Sequence, residues 1–127
     1  MNNGAHVLVV SRDQMLLQTR ALILGAYFQV ESAGRVSEAE AAMAKSPFDL
    51  IVLCYSLSDG EYQKLIELCR SQTCRPKILA LHAPNNGRPR PGSDGEYAIE
   101  QGPYELLKKA AEVLEYPLKP VGRASRP

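Results

Sequence analysis

Short apolar runs alternate along this chain with stretches in which apolar residues return every three or four positions. The two periods read as strands and helices. HVLVV (6–10) is short and rich in β-branched residues, the pattern of a strand buried on both faces. Ser11 is placed to cap a helix from Arg12 to Leu24, along which Leu16, Leu17, Ala21, Ile23 and Leu24 form an apolar stripe, and Gly25 supplies a stop. YFQVESA (27–33) alternates as a second strand, and Ser37-Glu38-Ala39-Glu40 reads as a capping box opening an alanine-rich helix that must end by Pro47.

DLIVLC (49–54) is the most apolar run and is predicted as the central strand. A helix then starts at Asp59 or Gly60, with Tyr62, Leu65, Ile66 and Cys69 on its inward face. KILALHA (77–83) is the fourth strand. The periodicity breaks at PNNGRPRPGSDG (84–95), where three prolines and three glycines in twelve residues exclude a regular helix. EYAIE (96–100) resumes as a short strand, Gly102-Pro103 opens a helix, and Leu106, Leu107, Ala110, Ala111 and Leu114 stripe it. Residues 116–127, with three prolines and no apolar period, read as a disordered or loosely packed tail behind a domain of residues 1–115.

Strands and helices in regular alternation predict a parallel sheet covered on both faces, because each right-handed crossover lays its helix back over the sheet. Chemistry in such folds gathers at the carboxyl ends of the strands. Here those ends are Ser11-Arg12-Asp13, Cys54-Tyr55, His82-Ala83 and Glu100-Gln101.

Composition narrows the picture without redirecting it. At 127 residues the chain forms one domain, and 45% hydrophobic with 23% charged residues excludes wholesale disorder. Fifteen basic against fourteen acidic side chains leave a charge of +1, no broad field for nucleic acid or acidic lipid. The small basic clusters Arg88/Arg90 and Lys119/Arg123/Arg126 read as solvated loops. The five-residue apolar run at the N-terminus is too short for a signal-peptide core or a membrane span, so a cytoplasmic location is expected. The three cysteines fit reduced thiols; Cys69 and Cys74 are five apart, but nothing completes a metal set around them.

VLVVSRD at the first strand, FDLIVLCYSLSDG at the third, ILALHA at the fourth and YELLKKAAEVL at the closing helix carry a resemblance to the receiver domain of two-component response regulators. It covers about residues 5 to 115. The resemblance implies a flavodoxin-like, doubly wound α/β fold with a five-stranded parallel sheet in the order 2-1-3-4-5. Members of that family hold Mg²⁺ with paired acids after the first strand and phosphorylate an aspartate ending the third. A hydroxyl residue after the fourth strand and a lysine after the fifth complete their site. Carried onto this chain, the acid pair falls on Ser11 and Arg12, the phosphoacceptor on Cys54, the hydroxyl on His82 and the lysine on Glu100. None of the key groups is present, and no metal or other cofactor is expected.

Asp13 and Asp59 lie near the site, but a carboxylate in a first helical turn is more naturally stabilised by the macrodipole than recruited as a ligand. Cys54 reads either as a small buried apolar residue or as a redox thiol activated by Arg12 or His82. Arg12 and Glu100 are expected to form an ion pair across the old phosphorylation site. Tyr97 matches the family's aromatic switch residue and reads otherwise as a packed strand tyrosine. The stretch from His82 to Glu100 is about one helical turn shorter than the family spacing, so the helix between strands four and five is expected to be missing or reduced. An uncovered sheet face there would offer an apolar patch to a partner.

The expectation is therefore a non-enzymatic, phosphorylation-independent receiver-like module of bacterial two-component-type signalling. Its partners would be a signalling protein and a second copy of itself, with no nucleic acid and no membrane. The alternative is a thiol-based redox or small-ligand sensor using the crevice at the strand ends.

Overall fold

The computed structural model describes residues 5–73, 75–82, 92–98 and 102–115. Five apolar runs form the strands β1 (His6–Val10), β2 (Gln29–Ala33), β3 (Leu50–Leu53), β4 (Lys77–His82) and β5 (Gly95–Ala98). Four helices intervene: α1 (Gln14–Gly25), α2 (Val36–Lys45), α3 (Asp59–Ser71) and α4 (Pro103–Leu114). All pairings are parallel, in the order β2-β1-β3-β4-β5. The order reverses beside β1, so the carboxyl ends of β1 and β3 flank a topological switch point.

Because alternate residues of a strand face opposite ways, the central strands feed two cores. Val7, Val9, Leu50, Val52, Leu79 and Leu81 pack with Leu17 and Leu24 of α1 and Leu106, Leu107 and Ala110 of α4. Leu8, Val10, Ile51, Leu53, Ile78 and Ala80 pack on the other face with Ala39 and Met43 of α2 and Leu65 and Ile66 of α3. The expected inward face of α3, Tyr62, Leu65, Ile66 and Cys69, is the buried one.

The starts of α1 and α2 depart from the pattern in the sequence, while α3 begins at Asp59 and α4 at Pro103 as expected. Asp13, not Ser11, caps α1, its carboxylate accepting the Leu16 N–H at 3.0 Å. The stripe of α1 buries Arg20 between Leu17 and Leu24, while Leu16, Ala21 and Ile23 are half-buried. No capping box forms at Ser37. The helix begins earlier, at Val36, and the carboxylate that reaches back is Glu38, accepting the Gly34 N–H at 2.7 Å. A capping box does form on α3, where Ser58 and Glu61 exchange hydrogen bonds. Helix α4 starts at Pro103 behind Gly102, whose φ of 92° lies in the left-handed region that favours glycine.

Among the described residues no helix stands between β4 and β5. The loop expected at 84–95 falls largely on residues outside the described set, as do the end of the strand expected at 96–100 and the tail from 116. Where the chain returns, Asp94 fastens to the start of β4: its carboxylate accepts the Ile78 N–H and its own N–H donates to the Ile78 carbonyl, both at 2.8 Å. The described part of that sheet face carries Glu96, in register with buried Ala80, rather than an apolar patch.

Candidate functional site

The ends of β1 and β3 bring Ser11 and Cys54 side by side, since the Cys54 N–H continues the sheet by donating to the Val10 carbonyl. Both residues are fully buried. Ser11 sits at the bottom of a small polar network. Its hydroxyl donates to the Asp13 carbonyl and accepts the Asp13 N–H, each at 3.2 Å, and shares a 3.1 Å hydrogen bond with the hydroxyl of Ser56. Ser56, from the turn after β3, also accepts the Arg12 N–H at 3.0 Å. The β1–α1 and β3–α3 turns are thereby tied by side-chain hydroxyls.

A second tie lies above the first. The Arg12 guanidinium pairs with the Glu61 carboxylate. Glu61 is fixed for this role by the capping box, which aims its carboxylate at the Ser58 N–H. That hydrogen bond, with the Arg12 guanidinium in support, holds the Glu61 carboxyl below its ordinary value of 4.5. Glu100 lies outside the described residues, so the expected Arg12–Glu100 pair does too; the partner observed for Arg12 is Glu61.

Beneath Cys54, the buried side of α1 contributes Arg20, only 7% exposed. One guanidinium nitrogen, Nη1, is buried without a hydrogen-bond partner. Burial pushes the Cys54 thiol above its ordinary 9.0, with the nearby Arg20 guanidinium and the Ser11 hydroxyl acting against that shift without cancelling it. A shielded thiol whose proton is held tightly is a poor nucleophile.

His82 ends β4 with Nε2 3.9 Å from a Glu96 carboxylate oxygen, and its Nδ1 is buried without a partner. Its side chain follows the register of Ile78 and Ala80, on the opposite sheet face from Cys54. Tyr97 is buried in the core under α4, its hydroxyl donating to the Gly102 carbonyl. Asp59 is the first residue of α3.

Three participants escape a reading of the sequence: Ser56, Glu61 and Arg20. Glu61 was signalled by the Ser58-x-x-Glu61 spacing, and Arg20 by its place three residues after Leu17 and four before Leu24. Ser56 had no local signal.

The donors at these strand ends do not suit a Mg²⁺ ion, which needs convergent hard oxygens. Asp13 is committed to capping α1, Arg12 brings positive charge, and Ser11 and Cys54 offer a hydroxyl already engaged and a thiol. Among the described residues no three His, Cys, Asp or Glu side chains are grouped to hold a metal ion.

Neither a protein-family model nor a curated protein matches the sequence. Solved structures do match. A response regulator receiver domain protein (CheY-like) of Methanospirillum hungatei JF-1 is 23% identical, with a TM-score of 0.74 over 89% of this chain and 95% of that one. The chemotaxis response regulator CheY4 of Vibrio cholerae is 25% identical, with a TM-score of 0.73 over 87% of this chain and 99% of that one. A response regulator receiver domain (CheY-like) of Methylobacillus flagellatus is 17% identical, with a TM-score of 0.72 over 89% and 98%. The likeness is one of fold, and it spans nearly the whole of each neighbour.

Proposed function

We propose that the chain is a receiver-like domain that signals by contact instead of phosphoryl transfer, an interaction module in two-component-type signal transduction that works in the cytoplasm on a protein partner. The receiver fold of its structural neighbours supports the signalling class. The observation that carries the contact-only reading is the state of the strand ends. Cys54 stands buried where a phosphoacceptor carboxylate would be needed, and the Ser11–Ser56 and Arg12–Glu61 ties join the turns that follow β1 and β3. Nucleophilic attack on an acyl phosphate needs an accessible anionic oxygen at the strand ends, and Ser11 and Cys54 supply none, while the Arg12 guanidinium is already paired with Glu61.

The test is incubation of the full chain with acetyl phosphate and Mg²⁺, read by intact-mass spectrometry and by fluorescence titration of the metal. The expected result is an unchanged mass and no saturable metal binding. A hydroxylamine-labile phosphate adduct sinks the reading. The crevice does not favour the thiol-sensor alternative: Cys54 is 0% exposed and its thiol is raised by burial, the reverse of an activated redox cysteine.

A further inference from the structure

The first residue of β1, at the end of the sheet opposite Cys54, is a histidine whose two ring nitrogens both meet acceptors. Nδ1 of His6 lies 3.1 Å from the Pro47 carbonyl oxygen, and Nε2 lies 3.0 Å from a Glu31 carboxylate oxygen. A carbonyl and a carboxylate only accept. Both nitrogens have to carry protons for both contacts to be hydrogen bonds, and a ring so protonated is an imidazolium.

The surroundings suit a positive charge. Asp49 brings a second carboxylate, which accepts the His6 backbone N–H at 2.8 Å, and the ring rests against Phe48 with centroids 4.3 Å apart. Among the charged residues of the elements around it, Glu38 of α2 is turned to the Gly34 N–H, while Glu40 and Lys45 of α2, Arg70 of α3 and Lys77 of β4 are exposed. Among the described residues, the ion pair of His6 is the one with Glu31.

We propose that His6 is a proton-operated latch on the edge strand β2, closed when the ring is doubly protonated and open when it is neutral. β2 is hydrogen-bonded to β1 alone, and Gln29, Glu31 and Ser32 along it are exposed. The protonated ring, carried on β1, grips β2 through Glu31 and the chain entering β3 through Pro47. A neutral ring keeps one N–H, and its lone pair then faces an acceptor oxygen. Pro47 presents a backbone carbonyl with little freedom to turn, whereas the Glu31 side chain is 49% exposed and free to swing into water. The proton accordingly leaves Nε2 for solvent, Glu31 moves out, and Nδ1–H stays on Pro47. Histidine ordinarily titrates near about pH 6.5, so mild acid closes the latch and mild alkali opens it. The pair stabilises the fold in acid, and its contribution is lost as pH rises. Because it stands at the far end of the sheet from Ser11 and Cys54, the latch holds whether or not the contact-only reading of those residues does.

The test is a double-mutant cycle over wild type, His6→Asn, Glu31→Gln and the double variant, read by urea unfolding of the full chain at about pH 5.5 and pH 8.5. Asparagine sets its amide nitrogen near the place of Nδ1, so Pro47 keeps a donor and the Glu31 contact alone is removed. His82, the only other histidine, is common to all four proteins and cancels. In acid the coupling is expected to change the unfolding equilibrium about two- to fivefold, the range of a partly exposed ion pair, and in alkali to vanish. Nitrogen-detected NMR of the wild-type ring supplies a reading that needs no variant to fold: at the alkaline pH the remaining proton should sit on Nδ1. A coupling that does not fall between the two conditions, or is absent from both, overturns the latch. A neutral ring protonated on Nε2 overturns it too, since Glu31 would then still be held.

Discussion

Glu61 serves two masters at the head of α3, and its charge is the part that can be isolated. Replacing Glu61 with Gln keeps a side chain able to reach the Ser58 N–H but removes the anion facing Arg12. The expected cost at neutral pH is about 0.2–1 kcal/mol, the range of an exposed pair. Since the folded carboxyl is held below 4.5, its contribution is present above about pH 4.5 and is lost as pH falls through the folded value. Urea unfolding of wild type and Glu61→Gln should therefore differ at pH 7 and converge on acidification; curves that stay parallel would show that the carboxylate is not what titrates.

Arg20 is the opposite case, a charge in an apolar position with Nη1 unpartnered. Substituting Met, which fills similar volume without a donor to satisfy, is expected to stabilise the chain by about 1–3 kcal/mol, measured as a rise in the urea midpoint at unchanged slope. The site was legible in the sequence where a strand ends and illegible where two turns meet. Cys54 and Ser11 follow from the runs that precede them. Ser56 matters only because it reaches Ser11 across forty-five positions of sequence, a relation that no local pattern encodes.

Among the elements, β5 and α4 show how little room the last crossover leaves. A Cβ built on Gly95 would stand 2.5 Å from Cγ2 of Val113. Gly95→Ala must push the strand and helix apart, at an expected cost of about 1–3 kcal/mol. Trimming the obstacle in the double variant Gly95→Ala/Val113→Ala should recover most of the loss beyond that of Val113→Ala alone, as a double-mutant cycle would read. A double variant no better than the sum of the singles would mean that the strain lies elsewhere. Elements themselves were readable wherever apolar period and length agreed, as in β1, α3 and α4. The first residues of α1 and α2 were not. Ser37 and Ser58 both precede an acid three positions on, yet only Ser58 caps, because the chain entering α2 has already turned helical by Val36.

For the whole molecule, the parallel sheet and its two-sided core were written in the alternation of runs and stripes, because right-handed crossovers lay helices on both faces, whereas the strand order β2-β1-β3-β4-β5 was readable only through the resemblance to receiver domains. The connection from β4 to β5 was the exception, its proline and glycine content saying what it is not and nothing of where it returns. It returns at Asp94, which grips both backbone groups of Ile78. The edge strand is thus moored to its neighbour through space as well as through the peptide chain. Severing a protein between His82 and Gly92 with an engineered protease site should accordingly yield two fragments that elute together on gel filtration and part only in denaturant, and the domain should be reassembled from separately expressed halves, a natural seam for a split reporter.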